Sequence, residues 1–303
     1  MEADFHCDER PDQATNNYVT DGNALFQAQM ALPTTLRELA ESLFEKLPKT
    51  LRLDFVTDSY FTQSIKSIER ARRGTAKTHL IKGSSITVPR DWKGFLSNEE
   101  NKMNFTRFLL DEWKKDKYAS KLCDKQILFT CVEKCVRLTS VDGQKSLSEE
   151  VHELCSTQEE ADTKIILHCL HVAANSADAA TITVRSSDTD GFVLLLKFSQ
   201  SIKQRILFDT GAGNKRRLVD LKNVILENGN DICAVLPAVH AYTGCDTTIA
   251  FVKKGKLTAP RLLKQHPEFL DSFTLLGRAT DIPDSLFSTL EHFTYVFSME
   301  INQ

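Results

Sequence analysis

A chain of 303 residues with 41% hydrophobic, 26% charged and 8% aromatic residues has room for one large domain or two small ones. Its 38 basic and 41 acidic residues leave a formal charge of -3, which excludes nucleic-acid binding by bulk positive charge, because such domains have pI above ~9. The same composition excludes a disordered chain, a collagen-like repeat and a small disulfide-stapled scaffold.

In chain order, residues 1–17 read as a polar leader, and MEADFHCDER has the make-up of neither a signal nor a transit peptide. Tyr18-Val-Thr-Asp21 reads as the end of a short strand, after which Gly22-Asn23 opens a helix. Leu51 to Thr57 alternates apolar and polar residues and predicts a strand that ends at Asp58. Between Gln63 and Arg73 a helix is expected, with Ile65 and Ile68 on one side and Lys66, Arg70 and Arg73 on another. The stretch 74–97, with its Gly, Ser and Thr residues and Pro89, reads as loop. Asn98 is placed to cap a helix with a stripe of Phe105, Phe108, Leu109 and Trp113.

Gln126 to Val132 predicts a strand, 142–158 a polar loop with a short helix, Glu159 to Ala174 a helix, and Thr181 to Arg185 a further strand. Phe192–Phe198 and Arg205–Phe208 are the next apolar runs, and helices are expected at 217–228, 231–242, 258–265 and 284–297. Strands alternating with helices predict a three-layer α/β/α fold around a mostly parallel sheet, with 74–125 inserted over it. The expected organisation is a leader at 1–17, a core at 18–246 and a helical C-terminal extension at 247–303. No apolar run reaches the ~18 residues of a membrane span. Eight scattered cysteines, at 7, 123, 131, 135, 155, 169, 233 and 245, suggest reduced thiols and an intracellular setting, with the nucleus ranked ahead of the cytoplasm.

The acids fall where such a sheet would gather ligands. Asp21 and Asp58 end predicted strands, Asp188 and Asp190 follow another, Glu160 and Asp162 open a helix, and Asp246 follows an apolar helix. Open α/β sheets bind ligands at the carboxyl ends of their strands. At i, i+2, Asp188 and Asp190 would share one face if the extended conformation continued. Each acid alone is an ordinary turn or capping residue. Together they would repel one another and take up protons unless a cation intervened, and all-oxygen ligands suit Mg²⁺ or Mn²⁺.

The order of these acids resembles the PIN-like superfamily, specifically nucleases of the flap-endonuclease (XPG) type. Asp21-Gly-Asn-Ala-Leu-Phe-Gln resembles the first Asp motif, and Phe55-Val-Thr-Asp58 followed by Lys66-Ser-Ile-Glu-Arg-Ala-Arg-Arg73 resembles the second Asp and its basic helix. Glu160-Ala-Asp162 is similar to the Glu-Ala-Glu motif with Asp for the second Glu, Ser187-Asp-Thr-Asp190 to the acidic pair, and Gly244-Cys-Asp246 to the last Asp motif. The resemblance implies a divalent-metal-dependent nuclease hydrolysing phosphodiester bonds of DNA or RNA with two Mg²⁺ or Mn²⁺ ions. In that family Asp21, Asp58, Glu160 and Asp162 would build one metal site, and Asp188, Asp190 and Asp246 the other.

An activated water would attack the phosphodiester in line. Lys66, Arg70, Arg72 and Arg73 would hold phosphates, joined by Lys253, Lys254 and Lys256. Phe251-Val-Lys-Lys-Gly-Lys256 departs from the family's glycine-rich helix–turn–helix, and the leader before Asp21 differs from that of flap endonucleases. The resemblance therefore carries no flap specificity. With seven of the 41 acidic residues assigned to a cluster, 34 acidic residues face 38 basic ones, so the charge balance is compatible with a nucleic-acid partner. No membrane partner is expected, and the sequence names no protein partner.

Three alternatives bear on the same residues. Asp188-Thr-Asp190-Gly resembles the nucleophile motif of haloacid-dehalogenase-type phosphatases, but Phe192 stands where that motif has Thr or Ser. A Toprim-type Glu with Asp-x-Asp leaves Asp21, Asp58 and Asp246 without a role. A PIN-like scaffold that has lost catalysis and binds nucleic acid or protein is the alternative from another class, although none of the seven acids is missing. Cys131-x3-Cys135 with His152-x2-Cys155 offers zinc-ligand types at a spacing that matches no strong zinc pattern. Buried thiols are the simpler reading there, and packing is the simpler reading for His168 and His171.

Overall fold

The structure is a computed structural model that describes residues 17–61, 77–245, 251, 258–276 and 282–299. Its frame is an eight-stranded sheet in the order β5-β4-β3-β2-β1-β6-β7-β8. The strands are β1 (Asn17–Asp21), β2 (Arg52–Val56), β3 (Gln126–Cys131), β4 (Lys134–Val141), β5 (Lys145–Glu150), β6 (Thr181–Arg185), β7 (Arg205–Thr210) and β8 (Arg217–Asp220). The five inner strands β3, β2, β1, β6 and β7 are mutually parallel. Antiparallel partners extend both margins, β4 and β5 at one and β8 at the other.

Alternation along the strands divides the core between two faces. Val19, Val56, Ile182, Val184, Ile206 and Phe208 face one helical layer. It includes α6 (Ala161–Asn175), α7 (Thr189–Phe198), α8 (Leu221–Asn228), α9 (Asn230–Thr243), α10 (Thr258–Gln265), α11 (Leu270–Leu275) and α12 (Asp284–Met299). Tyr18, Leu53, Phe55, Ile127 and Phe129 face the other layer. That layer is built from α1 (Gly22–Gln27), α2 (Leu36–Glu45), α3 (Trp92–Ser97), α4 (Glu99–Trp113) and α5 (Ala119–Leu122). Layers on both faces make the protein an α/β chain with a mostly parallel mixed sheet, as expected.

Local signals explain many boundaries. Thr35 and Glu38 form a reciprocal capping box at α2, and Asn98 accepts from the Asn101 N–H to start α4. Four segments differ from the sequence reading. The stretch read as loop contains α3, whose Trp92, Phe95 and Leu96 are buried at helical spacing. The polar 142–158 segment contains β5, an edge strand whose residues are nearly all exposed, so it lacks apolar alternation.

The helix expected from 217 starts instead at Leu221. Arg217 to Asp220 pairs with β7, and Asp220 then caps α8 by accepting from the Lys222 N–H. The extended conformation expected through Asp188 and Asp190 stops at Asp188, because α7 begins at Thr189. Among the described residues no helix is long and apolar enough to cross a membrane.

Candidate functional site

The strand order reverses at β1. From β1 the chain steps outward to β2 and β3, then returns to lay β6 and β7 on the other side. Such a switch point opens a crevice at the carboxyl ends of the strands. Asp21 is the last residue of β1, Asp58 follows β2 by two residues, and Asp188 follows β6 by three. Glu160 and Asp162 arrive from the start of α6.

Each acid is fixed locally. Asp21 caps α1, and its Oδ1 accepts from the N–H groups of Asn23 at 2.8 Å and Ala24 at 3.3 Å. A Cβ on Gly22 would lie 2.5 Å from the Phe55 ring and 2.8 Å from Thr57 Cγ2, so only glycine lets Asp21 turn so closely against β2. Asp58 accepts from the Ala161 N–H through Oδ1 at 2.8 Å and from the Tyr60 hydroxyl through Oδ2 at 2.9 Å. Together with the 2.7 Å bond from Ser59 N–H to the Glu159 carbonyl, this ties the start of α6 to the end of β2.

Asp188 caps α7 by accepting from the Asp190 N–H at 3.0 Å, while its own N–H donates to Ser186 Oγ at 3.1 Å. Asp190 lies in the first turn of α7, with its Oδ1 2.8 Å from His240 Nε2 on α9. Asp162 packs on the start of α7. A Cβ on Gly191 would come within 2.6 Å of Asp162 Oδ1, so the missing side chain makes room for the carboxylate.

The five aspartates lie close enough to act on one another through space. Burial, then Asp58 and Asp188, pushes the Asp21 carboxyl up to about 7. Burial, then Asp188, Asp21, Asp190 and Asp58, pushes Asp162 up to about 8. Both shifts have the sign expected where acids are desolvated together. The structure therefore brings Asp21, Asp58, Asp162, Asp188 and Asp190 into one electrostatic unit, with Glu160 at the N-cap position of α6, where its side chain makes no capping bond. Asp246 lies outside the described residues, as do Lys66, Arg70, Arg72, Arg73, Lys253, Lys254 and Lys256.

Oxygen-only donors with raised carboxyl affinities for protons suit a hard divalent cation. No three of the described acids in this group bring their oxygens within 4.8 Å of one another, however; among the described residues only Glu150, His152 and Cys155 do that. The acids thus share a field without converging on one tight cage.

Two residues beside the acids were absent from the sequence reading. Lys164 is buried one turn into α6 and donates to the Thr57 carbonyl at 3.1 Å, Ser59 Oγ at 2.6 Å and the Val132 carbonyl at 3.0 Å. Burial lowers its pKa to about 8 against the opposing pull of Asp58. Its signal in the sequence is a lone lysine leading the apolar run Ile165-Ile-Leu167. His240, six residues before Asp246, is visible in the sequence but has no periodicity that singles it out.

The opposite face of β1 and β6 has the opposite sign. A cleft of about 510 Å³ is lined by Tyr18, Thr20, Lys46, Lys49, Arg185 and Arg216, with Leu25, Leu47 and Pro48. Beneath it Asp209 is fully buried and accepts from the Tyr18 hydroxyl at 2.7 Å, Arg185 Nη1 at 2.7 Å, and Arg216 Nε and Nη2 at 2.9 and 2.7 Å. One carboxylate thereby orients two guanidinium groups. The lining carries four cationic side chains and no carboxylate, and Thr20 immediately precedes Asp21.

A mostly parallel α/β sheet with an acidic group at its switch point defines the class of this protein. Against known proteins, no family model matches the chain and no curated protein aligns with it significantly.

Proposed function

We propose that the protein is a divalent-metal-dependent nuclease of PIN-like, flap-endonuclease type that hydrolyses phosphodiester bonds of DNA or RNA. The observation that carries this reading is the shared field of Asp21, Asp58, Asp162, Asp188 and Asp190 at the reversal of strand order. Burial, reinforced by neighbouring carboxylates, pushes two members up to about 7 and about 8, a cost that a divalent cation would remove. As the resemblance implies, Asp21, Asp58, Glu160 and Asp162 would hold one Mg²⁺ or Mn²⁺ ion, and Asp188, Asp190 and Asp246 a second, and binding would have to draw together described acids of which no three have oxygens within 4.8 Å of one another. Two such ions, when bound, would supply charge neutralisation for the attacking and leaving oxygens of an in-line displacement.

The chain's own residues do the positioning. Capping bonds fix Asp21 and Asp188, the Ala161 N–H and Tyr60 hydroxyl fix Asp58, and His240 holds Asp190. The cationic cleft beside Thr20 supplies positive charge for phosphate oxygens, from the ammonium groups of Lys46 and Lys49 and from two guanidinium groups that Asp209 holds in place.

The test is cleavage of branched, single-stranded and duplex DNA and RNA with Mg²⁺ or Mn²⁺, with Asp188→Ala as the control. Cleavage that disappears in EDTA and in Asp188→Ala is the expected result. No cleavage of any substrate, with metal bound weakly or not at all, overturns the enzyme and leaves a binding scaffold. Cleavage unchanged in Asp188→Ala overturns the site assignment.

A further inference from the structure

The zinc-ligand types noted in the sequence are regrouped by the fold. Cys131 and Cys135 face the interior, and burial pushes their thiols up to about 11 and about 12, so neither is a ready thiolate. His152 and Cys155 are instead joined by Glu150, the last residue of the edge strand β5. Glu150 Oε1 lies 3.6 Å from His152 Nδ1 and 3.7 Å from Cys155 Sγ. Zinc bonds of ~2.0–2.2 Å to oxygen and nitrogen and ~2.3 Å to sulfur, at tetrahedral angles, require edges of about 3.4 and 3.6 Å.

The backbone holds this arrangement. Val151 and Leu154 are buried against Leu128 and Cys135, which leaves Glu150, His152 and Cys155 on the outer side of a 3-10 turn. The Val151 N–H donates to the Cys135 carbonyl at 2.8 Å, the Cys155 N–H to the His152 carbonyl at 3.1 Å, and the Ser156 N–H to the Glu133 carbonyl at 2.9 Å. Lys134 Nζ donates to Glu150 Oε2 at 2.9 Å, which orients the carboxylate from behind and leaves Oε1 for a cation. A positioning group of this kind is the usual companion of a metal ligand.

We propose that Glu150, His152 and Cys155 form a zinc site with three protein ligands and a fourth, solvent-facing position. One nitrogen, one sulfur and one oxygen form a borderline-soft donor set that selects Zn²⁺ over Mg²⁺ or Mn²⁺. It is chemically distinct from the all-carboxylate group at the switch point and does not depend on the nuclease reading. Bound metal would clip the end of β5 to the segment that runs into Glu160 and α6.

The experiment uses the whole 303-residue chain, tag-free, reduced and metal-free. Titration with Co²⁺ is read by absorption, since a thiolate ligand gives a near-ultraviolet charge-transfer band that carboxylates cannot give. Displacement by Zn²⁺ then measures affinity. One equivalent of Co²⁺ should produce the band and Zn²⁺ should erase it. Cys155→Ser should lose the band, and His152→Ala should weaken binding.

Saturating Zn²⁺ should also protect Cys155, but not the exposed Cys123, from alkylation mapped by mass spectrometry. A band that persists in Cys155→Ser, or zinc affinity unchanged in His152→Ala, overturns the assignment. Equal alkylation of Cys155 with and without Zn²⁺ overturns it as well. Circular dichroism of the variants separates loss of ligand from loss of fold.

Discussion

β2 carries one aspartate at its centre and leads into another just past its end, and the two meet opposite fates. Asp54, in the middle of the strand, is fully buried and ringed by partners. Arg52 Nε and Nη2 donate to its two oxygens at 2.7 and 2.8 Å, and His168 Nδ1 lies 2.6 Å from Oδ1. Thr130 Oγ1 is 3.0 Å from the other ring nitrogen of His168, and Arg52 Nη2 is 3.0 Å from His171 Nδ1. Burial pushes the Asp54 carboxyl up, yet the hydrogen bonds from Arg52 and His168 outweigh it and hold it below the usual carboxylate range.

Asp58, just past the strand's end, sits among other acids and helps to push Asp21 and Asp162 the other way. One segment thus supplies a carboxylate satisfied by the fold and another that raises the proton affinity of its neighbours. The lesson is positional. Inside a parallel strand a charge survives only if the fold provides its partner. At the carboxyl edge, acids can be left for an external cation to satisfy.

The sharpest way to break this contrast is Asp54→Ala. It strands the buried Arg52 and His168, and removing one partner of a buried pair should cost about 3–5 kcal/mol, read by urea denaturation. A loss under about 1 kcal/mol would mean that the interior network is not what stabilises this part of β2. Gly191→Ala comes next. The new methyl would press on Asp162 Oδ1 at 2.6 Å and turn that carboxylate aside, so weaker Mn²⁺ binding by calorimetry is expected, with the gain in helix propensity, about 0.5–1 kcal/mol, offsetting the cost to stability.

Asp162→Asn should act in the opposite direction to Asp54→Ala. In EDTA at neutral pH it removes a desolvated group opposed by other acids and should stabilise the fold by on the order of 1 kcal/mol. The pH dependence has a definite sign. Asp21 and Asp162 have folded-state values raised to about 7 and about 8, against ~3.9 in an unfolded chain. The folded state therefore binds more protons between those limits, and stability falls as pH rises from about 4 to about 8. Asp54, whose value is lowered, adds the reverse trend only in acid, below the unfolded value. Thermal melts in EDTA should show the decline, and Mg²⁺ or Mn²⁺ should flatten it. A flat profile in EDTA would show that the edge acids are not mutually destabilised.

The smallest effect belongs to the cationic cleft. Lys46→Glu with Lys49→Glu, both exposed positions, should leave stability nearly unchanged. The salt dependence of nucleic-acid binding should become shallower, by about one unit of log–log slope for each phosphate that the cleft no longer neutralises. Binding measured in the metal-free Asp188→Ala protein separates this contribution from chemistry.

Much of the fold and of the acidic site is legible in the sequence. Tyr18-Val-Thr-Asp21 and the alternation from Leu51 to Thr57 announce β1 and β2, and Asn98 announces α4, because caps and alternation are local signals. β5 is illegible, since an exposed edge strand has no apolar face to reveal it. Lys164 and His240 are also hidden, because their roles depend on what β2, β3 and α7 bring beside them.

The alternation of strands and helices, the order of the acids and their placement at element ends all depend on neighbours a few residues apart, so the chain order is enough to specify them. It takes folding in three dimensions to return β6 beside β1, so that Asp188 meets Asp21 from the far half of the core. The same folding separates Asp54 from Asp58 in role, pairs His152 and Cys155 with Glu150 rather than with Cys131 and Cys135, and sets a cationic cleft against an acidic edge. Charges act through space and through the low-dielectric interior, and neither distance nor burial is written in the order of residues along the chain.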